Sequence, residues 1–143
     1  MIRLITEKAE KERIIRLCDE AFQEGMCAKE DFEERLEKID RFAEFYAAFS
    51  EGEPAGYAAM YNNDRASKAA YISSIGVRPA FQKQKTGSAL LRNCIESAKE
   101  NGMKRLRLEV RKDNAGAIRF YKRHGFVRED ECSPESDYLS LLL

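Results

Sequence analysis

One histidine, His124, and three prolines are all that this chain of 143 residues has of either, and its apolar runs are short. Each scarcity excludes something. Without roughly 20 consecutive apolar residues there is no helical membrane span. A lone histidine removes paired-histidine zinc sites, and Cys18, Cys27, Cys94 and Cys132 are scattered without a CxxC pair. No metal is therefore expected. A Cys–His nucleophile would need one of these thiols beside His124, and no spacing favours it. Cys18 and Cys94 lie among apolar residues and read as reduced core thiols. No Pro/Gly-rich linker, repeat or low-complexity tract divides the chain, so one domain over residues 1–143 is expected. The opening MIRLITEKAEKERIIRL lacks the apolar stretch and cleavage site of a signal peptide, which makes the cytoplasm the expected location.

Hydrophobic residues make up 43% and charged residues 35%, the balance of a globular protein able to bury a core. The formal net charge of zero hides an uneven distribution. Residues 78–128 hold 14 Lys/Arg against 4 Asp/Glu, whereas residues 129–143 hold 5 acidic residues and no basic one. An anionic partner for the basic segment is one reading. The other is that folding mixes these charges.

Periodicity orders the chain. IRLIT reads as a strand, with Thr6 placed to cap the helix after it. That helix runs from about Ala9 to Phe22, and a second covers roughly Lys29 to Asp40 with Phe32, Leu36 and Ile39 on one face. Two apolar runs around EGEP form a hairpin, AAYISSIGV is a strand stopped before Pro79, and Thr86–Asn101 is an amphipathic helix. KRLRLEV alternates Leu106, Leu108 and Val110 with charges. A helix from DNAGAIRFYKRHGF and two closing strands complete the order β-α-α-β-β-β-α-β-α-β-β, a mixed α/β domain.

Two stretches carry chemistry. In the first, Asn114 is placed to cap a helix on which Ala117 and Tyr121 follow at roughly 60° and 20° from it, by the 3.6-residue period. Arg119, Lys122 and Arg123 are expected to point elsewhere, and Gly125 to end the helix. Tyr121 on that face is either a core tyrosine with a bonded hydroxyl or a phenol facing a ligand. In the second stretch, a strand ends at Val77, a loop follows, and a helix begins near Thr86 or Gly87. Loop amides and a helix N-terminus in that arrangement bind phosphate. Lys83 and Lys85 add positive charge, and Gly87 permits close approach.

VRPAFQKQKTGSAL (Val77–Leu90) and EVRKDNAGAIRFYKRHGF (Glu109–Phe126) together closely resemble the GNAT superfamily of acetyl-CoA-dependent N-acetyltransferases. The resemblance is strong from about Tyr71 to Phe126. It implies a mostly antiparallel mixed sheet of seven strands, flanked by about four helices, with strands four and five splayed around acetyl-CoA. The family's pyrophosphate pattern Q/R-x-x-G-x-G/A falls on Gln82, Lys85 and Gly87, so Lys85 stands where relatives have glycine. The resemblance implies cofactor contacts from Ile75, Gly76, Val77, Gln82, Lys83, Gln84, Lys85, Thr86, Gly87, Ser88, Asn114, Ala117 and Tyr121. It also implies that Tyr121 protonates the leaving CoA thiolate and that a backbone N–H around Ile75–Val77 faces the thioester oxygen. Direct attack needs no Ser or Cys nucleophile, and His124 becomes a surface or capping residue.

Many relatives carry a carboxylate base on the fourth strand, where this chain has Ser73 and Ser74. Glu109 is the nearest acidic candidate. The alternatives are a strand residue paired with Arg107 or Arg111, or an ordered water as base. The acceptor side, by resemblance the first helices and last strands, is acidic at Glu30, Asp31, Glu33, Glu34, Glu37, Asp40, Glu129, Asp130, Glu131, Glu135 and Asp137. A cationic amine would be attracted there, although solvated helix and loop faces are the simpler explanation of such residues. Acetyl transfer to the primary amine of a small molecule is the leading expectation. The alternatives are a protein N-terminus or lysine as acceptor, a CoA-binding domain without turnover, and a nucleic-acid-binding module. The last lacks interleaved aromatics and any recognition motif. No nucleic-acid or membrane partner is expected, and a homodimer is compatible with the sequence.

Overall fold

The computed structural model describes residues 1–21 and 25–143, with the side chains of Ala21 and Lys83 outside the description. Helix α1 (Lys8–Cys18) buries Lys11, Ile14, Ile15 and Cys18, and α2 (Phe32–Phe42) buries Phe32, Leu36 and Ile39, as the periodicity requires. Both begin or end differently from the sequence expectation. Thr6 does not cap α1, whose N-cap is Glu7 without a side-chain cap. A 3-10 turn, Asp19–Ala21, follows α1, and the expected end at Phe22 lies outside the described residues. Lys29–Asp31 precede α2 as a turn, held by Phe32 N–H donating to the Lys29 carbonyl at 3.1 Å, so Glu30 and Asp31 are not helical. Asp19 accepts from the backbone N–H of Met26 at 2.7 Å and of Cys27 at 3.3 Å.

Strands β1 (Ile2–Leu4), β2 (Glu44–Ser50), β3 (Glu53–Tyr61), β4 (Ala69–Val77), β5 (Arg105–Arg111), β6 (Val127–Ser133) and β7 (Ser136–Leu142) form one sheet in the order β1-β2-β3-β4-β5-β7-β6. Glu51 and Gly52, at φ 52° and 82°, make the two-residue turn between β2 and β3, where the twist of a hairpin favours left-handed residues. Pairing is antiparallel except between β4 and β5. That parallel pairing spans only Ala69–Ile72 against Arg105–Leu108. Beyond it, β4 stays with β3 and β5 with β7, so the two strands separate. The expected splay is present.

Each face of the sheet has its own core. Helices α3 (Thr86–Glu100) and α4 (Ala115–Arg123) cover Ala70, Ile72, Leu106, Leu108 and Val110. Helices α1 and α2 cover Phe45, Ala47, Tyr57 and Ala59 on the opposite face. Leu90, Leu91 and Leu106 are fully buried. Each such side chain contributes about 1.5–3 kcal/mol by leaving water. Cys18 and Cys94 are buried free thiols whose pKa burial pushes up to about 12, so they are inert core residues as expected.

Candidate active site

Because β4 and β5 part after Ile72 and Leu108, a cleft of about 840 Å³ opens between their C-terminal halves. The N-terminus of α3 and one face of α4 line it too. Local rules place α4. Asn114 is the N-cap, accepting from Ala117 N–H at 3.1 Å. At the other end Gly125 takes φ 96°, Gly125 N–H donates to the Lys122 carbonyl at 3.0 Å, and Phe126 N–H donates to the Tyr121 carbonyl at 3.1 Å. These are the paired bonds of a Schellman motif. The accompanying hydrophobic contact is the Phe126 ring against Tyr121, at 5.7 Å and 62°. The Gly-Phe dipeptide thus fixes the ring of Tyr121.

Tyr121 is 8% exposed and lines the cleft. Among the described residues its hydroxyl has no hydrogen-bond partner, unlike that of a core tyrosine with a bonded hydroxyl. Burial, with Cys94 nearby, pushes its pKa above the usual phenol value. The phenol therefore stays neutral at ordinary pH.

At the wide end, Pro79–Gln84 form a 3-10 turn where an open loop was expected. Pro79 presets the first dihedral, and Phe81 N–H donates to the Arg78 carbonyl at 2.8 Å. Lys85 follows at φ 59°, in the left-handed conformation that glycine would adopt without strain. Lysine in the family's glycine position keeps the loop shape at an energetic cost. Helix α3 then starts without a side-chain cap and without an acidic residue in its first turn. Its free N–H groups and positive dipole end, beside Lys85, fit a pyrophosphate. A Cβ on Gly87 would meet Phe120 at 3.5 Å and Val77 at 3.6 Å, ordinary contacts, so packing does not require glycine there. His124, the C-cap of α4, lies 3.2 Å from Ser88 Oγ and ties the two helices together.

Replacing Lys85 by Gly isolates the charge from the backbone. Chemical denaturation should show a gain of roughly 0.5–1 kcal/mol, the relief of left-handed strain less the added unfolded-state entropy. CoA affinity should fall about 2–5-fold at low ionic strength, and the difference should vanish in high salt.

Of the residues singled out from the sequence, Ile75, Gly76, Val77, Gln82, Lys85, Gly87, Ser88, Glu109, Asn114, Ala117 and Tyr121 line this one cleft. Gln84 and Thr86 do not; the Gln84 amide oxygen accepts from Ser50 Oγ at 3.3 Å. The side chain of Lys83 lies outside the described residues. Glu109 is exposed on β5, opposite Tyr138 in register. Its neighbours Leu108 and Val110 face α3 and α4, so Glu109 faces the other side of the sheet from Tyr121. The candidate partners turn elsewhere: Arg107 binds Glu129 at 2.8 Å, and Arg111 binds Asp113 at 3.1 Å.

Lys29, Arg111, Phe120 and Arg123 also line the cleft and were not legible in the sequence. Arg123 is a correction, since helix phase alone turned it away and its length lets it reach. Folding does mix much of the segmental charge. Arg105 and Arg107 bind Glu129, Lys112 binds Glu131 and Arg128 binds Asp137, while Glu37 and Asp40 pair with Lys8 and Lys11. Those carboxylates tie elements together rather than forming a free acidic acceptor surface. Among the described residues no cluster of three metal-ligating side chains occurs, and no helix is long and apolar enough to cross a membrane.

A splayed β4/β5 pair, a helix N-terminus at its mouth and a phenol inside define this cleft. Residues 9–126 match the acetyltransferase (GNAT) family, and the chain belongs to it. It is 42% identical over 57 residues to the ribosomal protein bS18-alanine N-acetyltransferase of Escherichia coli, covering 40% of this chain and 38% of that one. It is 37% identical over 86 residues to streptothricin acetyltransferase of Streptomyces lavendulae, covering 58% and 43%. The matched stretches thus span less than half of either relative. The fold is similar to that of a GNAT acetyltransferase of Elizabethkingia anophelis solved with acetyl-CoA bound, with a TM-score of 0.77, 22% identity and coverage of 100% and 97%.

Proposed function

We infer that this protein transfers the acetyl group of acetyl-CoA to a primary amine of a small molecule by direct attack. The observation that carries this is the Tyr121 hydroxyl, buried in the splayed cleft with no hydrogen-bond partner among the described residues. The N-terminus of α3, Lys85 and Gly87 hold the pyrophosphate, and Asn114 and Ala117 line the path of the pantetheine arm. Backbone N–H groups of Ile75–Val77, freed from pairing with β5, stabilise charge on the thioester oxygen. As the amine nitrogen bonds the acyl carbon, the C–S bond breaks and Tyr121 gives its proton to the thiolate sulfur. A thiolate in a water-poor cleft is itself a stronger base than in water, which brings it within reach of a weak acid. Glu109, on the far face of β5, takes the proton that the amine loses, directly or through water.

A second reading has a protein N-terminal amine as acceptor, supported by the relative named for an alanine of bS18. The streptothricin relative supports the small-molecule reading. Acetyl-CoA with a panel of small amines and short peptides, read by free-thiol release, decides between them. Release with small amines alone supports the first reading, and release with peptides alone replaces it by the second. Binding of acetyl-CoA without release from any acceptor overturns both.

A further inference from the structure

The strand that lacks the usual carboxylate has an irregularity at the same place. Ala59 pairs with Ser74 and Met60 with Ile72, so Ser73 is an extra residue in β4. The parity of the strand changes there. Ala70 and Ile72 pack towards α3, and so do Ile75 and Val77. Both Ser73 and Ser74 are thereby turned to the opposite face, the one that also carries Glu109. Each meets a tyrosine of β3: Ser73 lies against the Tyr61 phenol and Ser74 Oγ hydrogen-bonds the Tyr57 hydroxyl.

The Tyr57–Ser74 pair has a defined direction. Tyr57 is fully buried and stacked on Phe45, with ring centroids 5.1 Å apart and planes at 5°. Among the described residues Ser74 is the only hydrogen-bond partner of its hydroxyl. A buried phenol that accepted from Ser74 would leave its own proton without a partner among the described residues, so we assign Tyr57 as donor and Ser74 Oγ as acceptor. Burial also keeps the phenol protonated, because it raises the pKa. Ser74 keeps one lone pair and its own proton, and it lines the cleft where β4 has left β5.

Resting on the acetyl-transfer reading, we propose that Ser74 Oγ accepts a hydrogen bond from the N–H of the acceptor amine, and that Tyr57 is the positioning residue that locks Ser74 in the required rotamer. The amine then enters between Ser74 and Glu109 on one face of the sheet, while Tyr121 serves the leaving sulfur on the other. Holding one N–H at Ser74 and the other at Glu109 aims the nitrogen lone pair at the acyl carbon. The hydroxyl pair takes over the orienting part of the missing carboxylate and leaves proton removal to Glu109.

The test measures thiol release from acetyl-CoA with alaninamide and with 1,4-diaminobutane as probes, together with acetyl-CoA binding by calorimetry. Tyr57→Phe keeps the ring stacked on Phe45 and frees the Ser74 rotamer. It should raise KM for the amine, or lower kcat/KM, by about 10-fold, the scale of one lost hydrogen bond, with acetyl-CoA affinity unchanged. Ser74→Ala should show the same kinetic loss plus a lower Tm, because the buried phenol loses its acceptor. The double variant should regain the Tm but not the activity. Unchanged kinetics in Tyr57→Phe, kinetic recovery in the double variant, or a parallel loss of acetyl-CoA affinity would each overturn the assignment alone. A wild-type protein that binds acetyl-CoA but releases no thiol with either probe would overturn the transfer reading and this one with it.

Discussion

Tyr121→Phe should cut turnover by roughly 10²–10⁴-fold, the range for one lost acid–base group. Acetyl-CoA affinity and folding stability should stay near wild type. The phenylalanine ring keeps the edge contacts with Phe120 at 5.3 Å and Phe126 at 5.7 Å. The deleted hydroxyl has no hydrogen-bond partner among the described residues, so no buried group is orphaned. A core tyrosine with a bonded hydroxyl would behave in the opposite way, losing stability and leaving kcat alone. The pH dependence gives a second readout. Burial raises the pKa of this phenol, so the folded state holds the proton more tightly than the unfolded state. Stability is then full below the ordinary phenol value of about 10 and is lost as pH rises above it. Tyr121→Phe removes that loss, and the variant should outlast the wild type in alkaline unfolding. Wild-type turnover in the variant with a good amine acceptor would sink the general-acid role.

Much of this site was written in short-range rules. The Asn114 cap, the Gly125 stop and the Phe126 ring lie within one helix and its end, so helical phase and capping chemistry place Tyr121 without knowledge of the rest. The alternation of Leu106, Leu108 and Val110 likewise gave β5 and its two faces. What stayed hidden depends on other elements. The parity change at Ser73 arises from register with β3, which no period within AAYISSIGV reveals. Arg123 reaches the cleft by side-chain length, which helix phase ignores. Lys29, expected as the first residue of the second helix, lies instead in the turn before α2 and reaches the cleft from there. Pairing of Glu129 with Arg105 and Arg107 joins β6 to β5 across the intervening β7, and it neutralises one of the carboxylates that the linear charge count left unbalanced. The left-handed Lys85 was visible as a departure from a pattern, but its consequence was not. Lysine keeps the glycine conformation at a cost in strain and places a positive charge at the mouth of the cleft.

Substitution at Gly87 should separate stability from binding. The position has ordinary space for a Cβ, with Phe120 and Val77 at 3.5 and 3.6 Å, and its φ lies outside the left-handed range. Gly87→Ala should therefore fold, with stability unchanged or raised by up to about 1 kcal/mol through helix propensity. The same Cβ stands at the N-terminus of α3, between residues that line the cleft, where the proposed acetyl-CoA would bring its pyrophosphate close to the backbone. A side chain there pushes the phosphate oxygens away from the first-turn N–H groups, whose charge-assisted hydrogen bonds are worth about 1.5–3 kcal/mol each. Loss of one such bond corresponds to roughly 10–100-fold in the dissociation constant. Gly87→Ala should sit at the low end, and Gly87→Leu, which fills the space between Val77 and Phe120, at the high end or beyond. Calorimetry with CoA and a denaturation curve on the same samples read both quantities. Opposite movement of stability and affinity marks a ligand-contact glycine. Affinity unchanged in Gly87→Leu would remove the pyrophosphate from the mouth of α3, whatever the stability did.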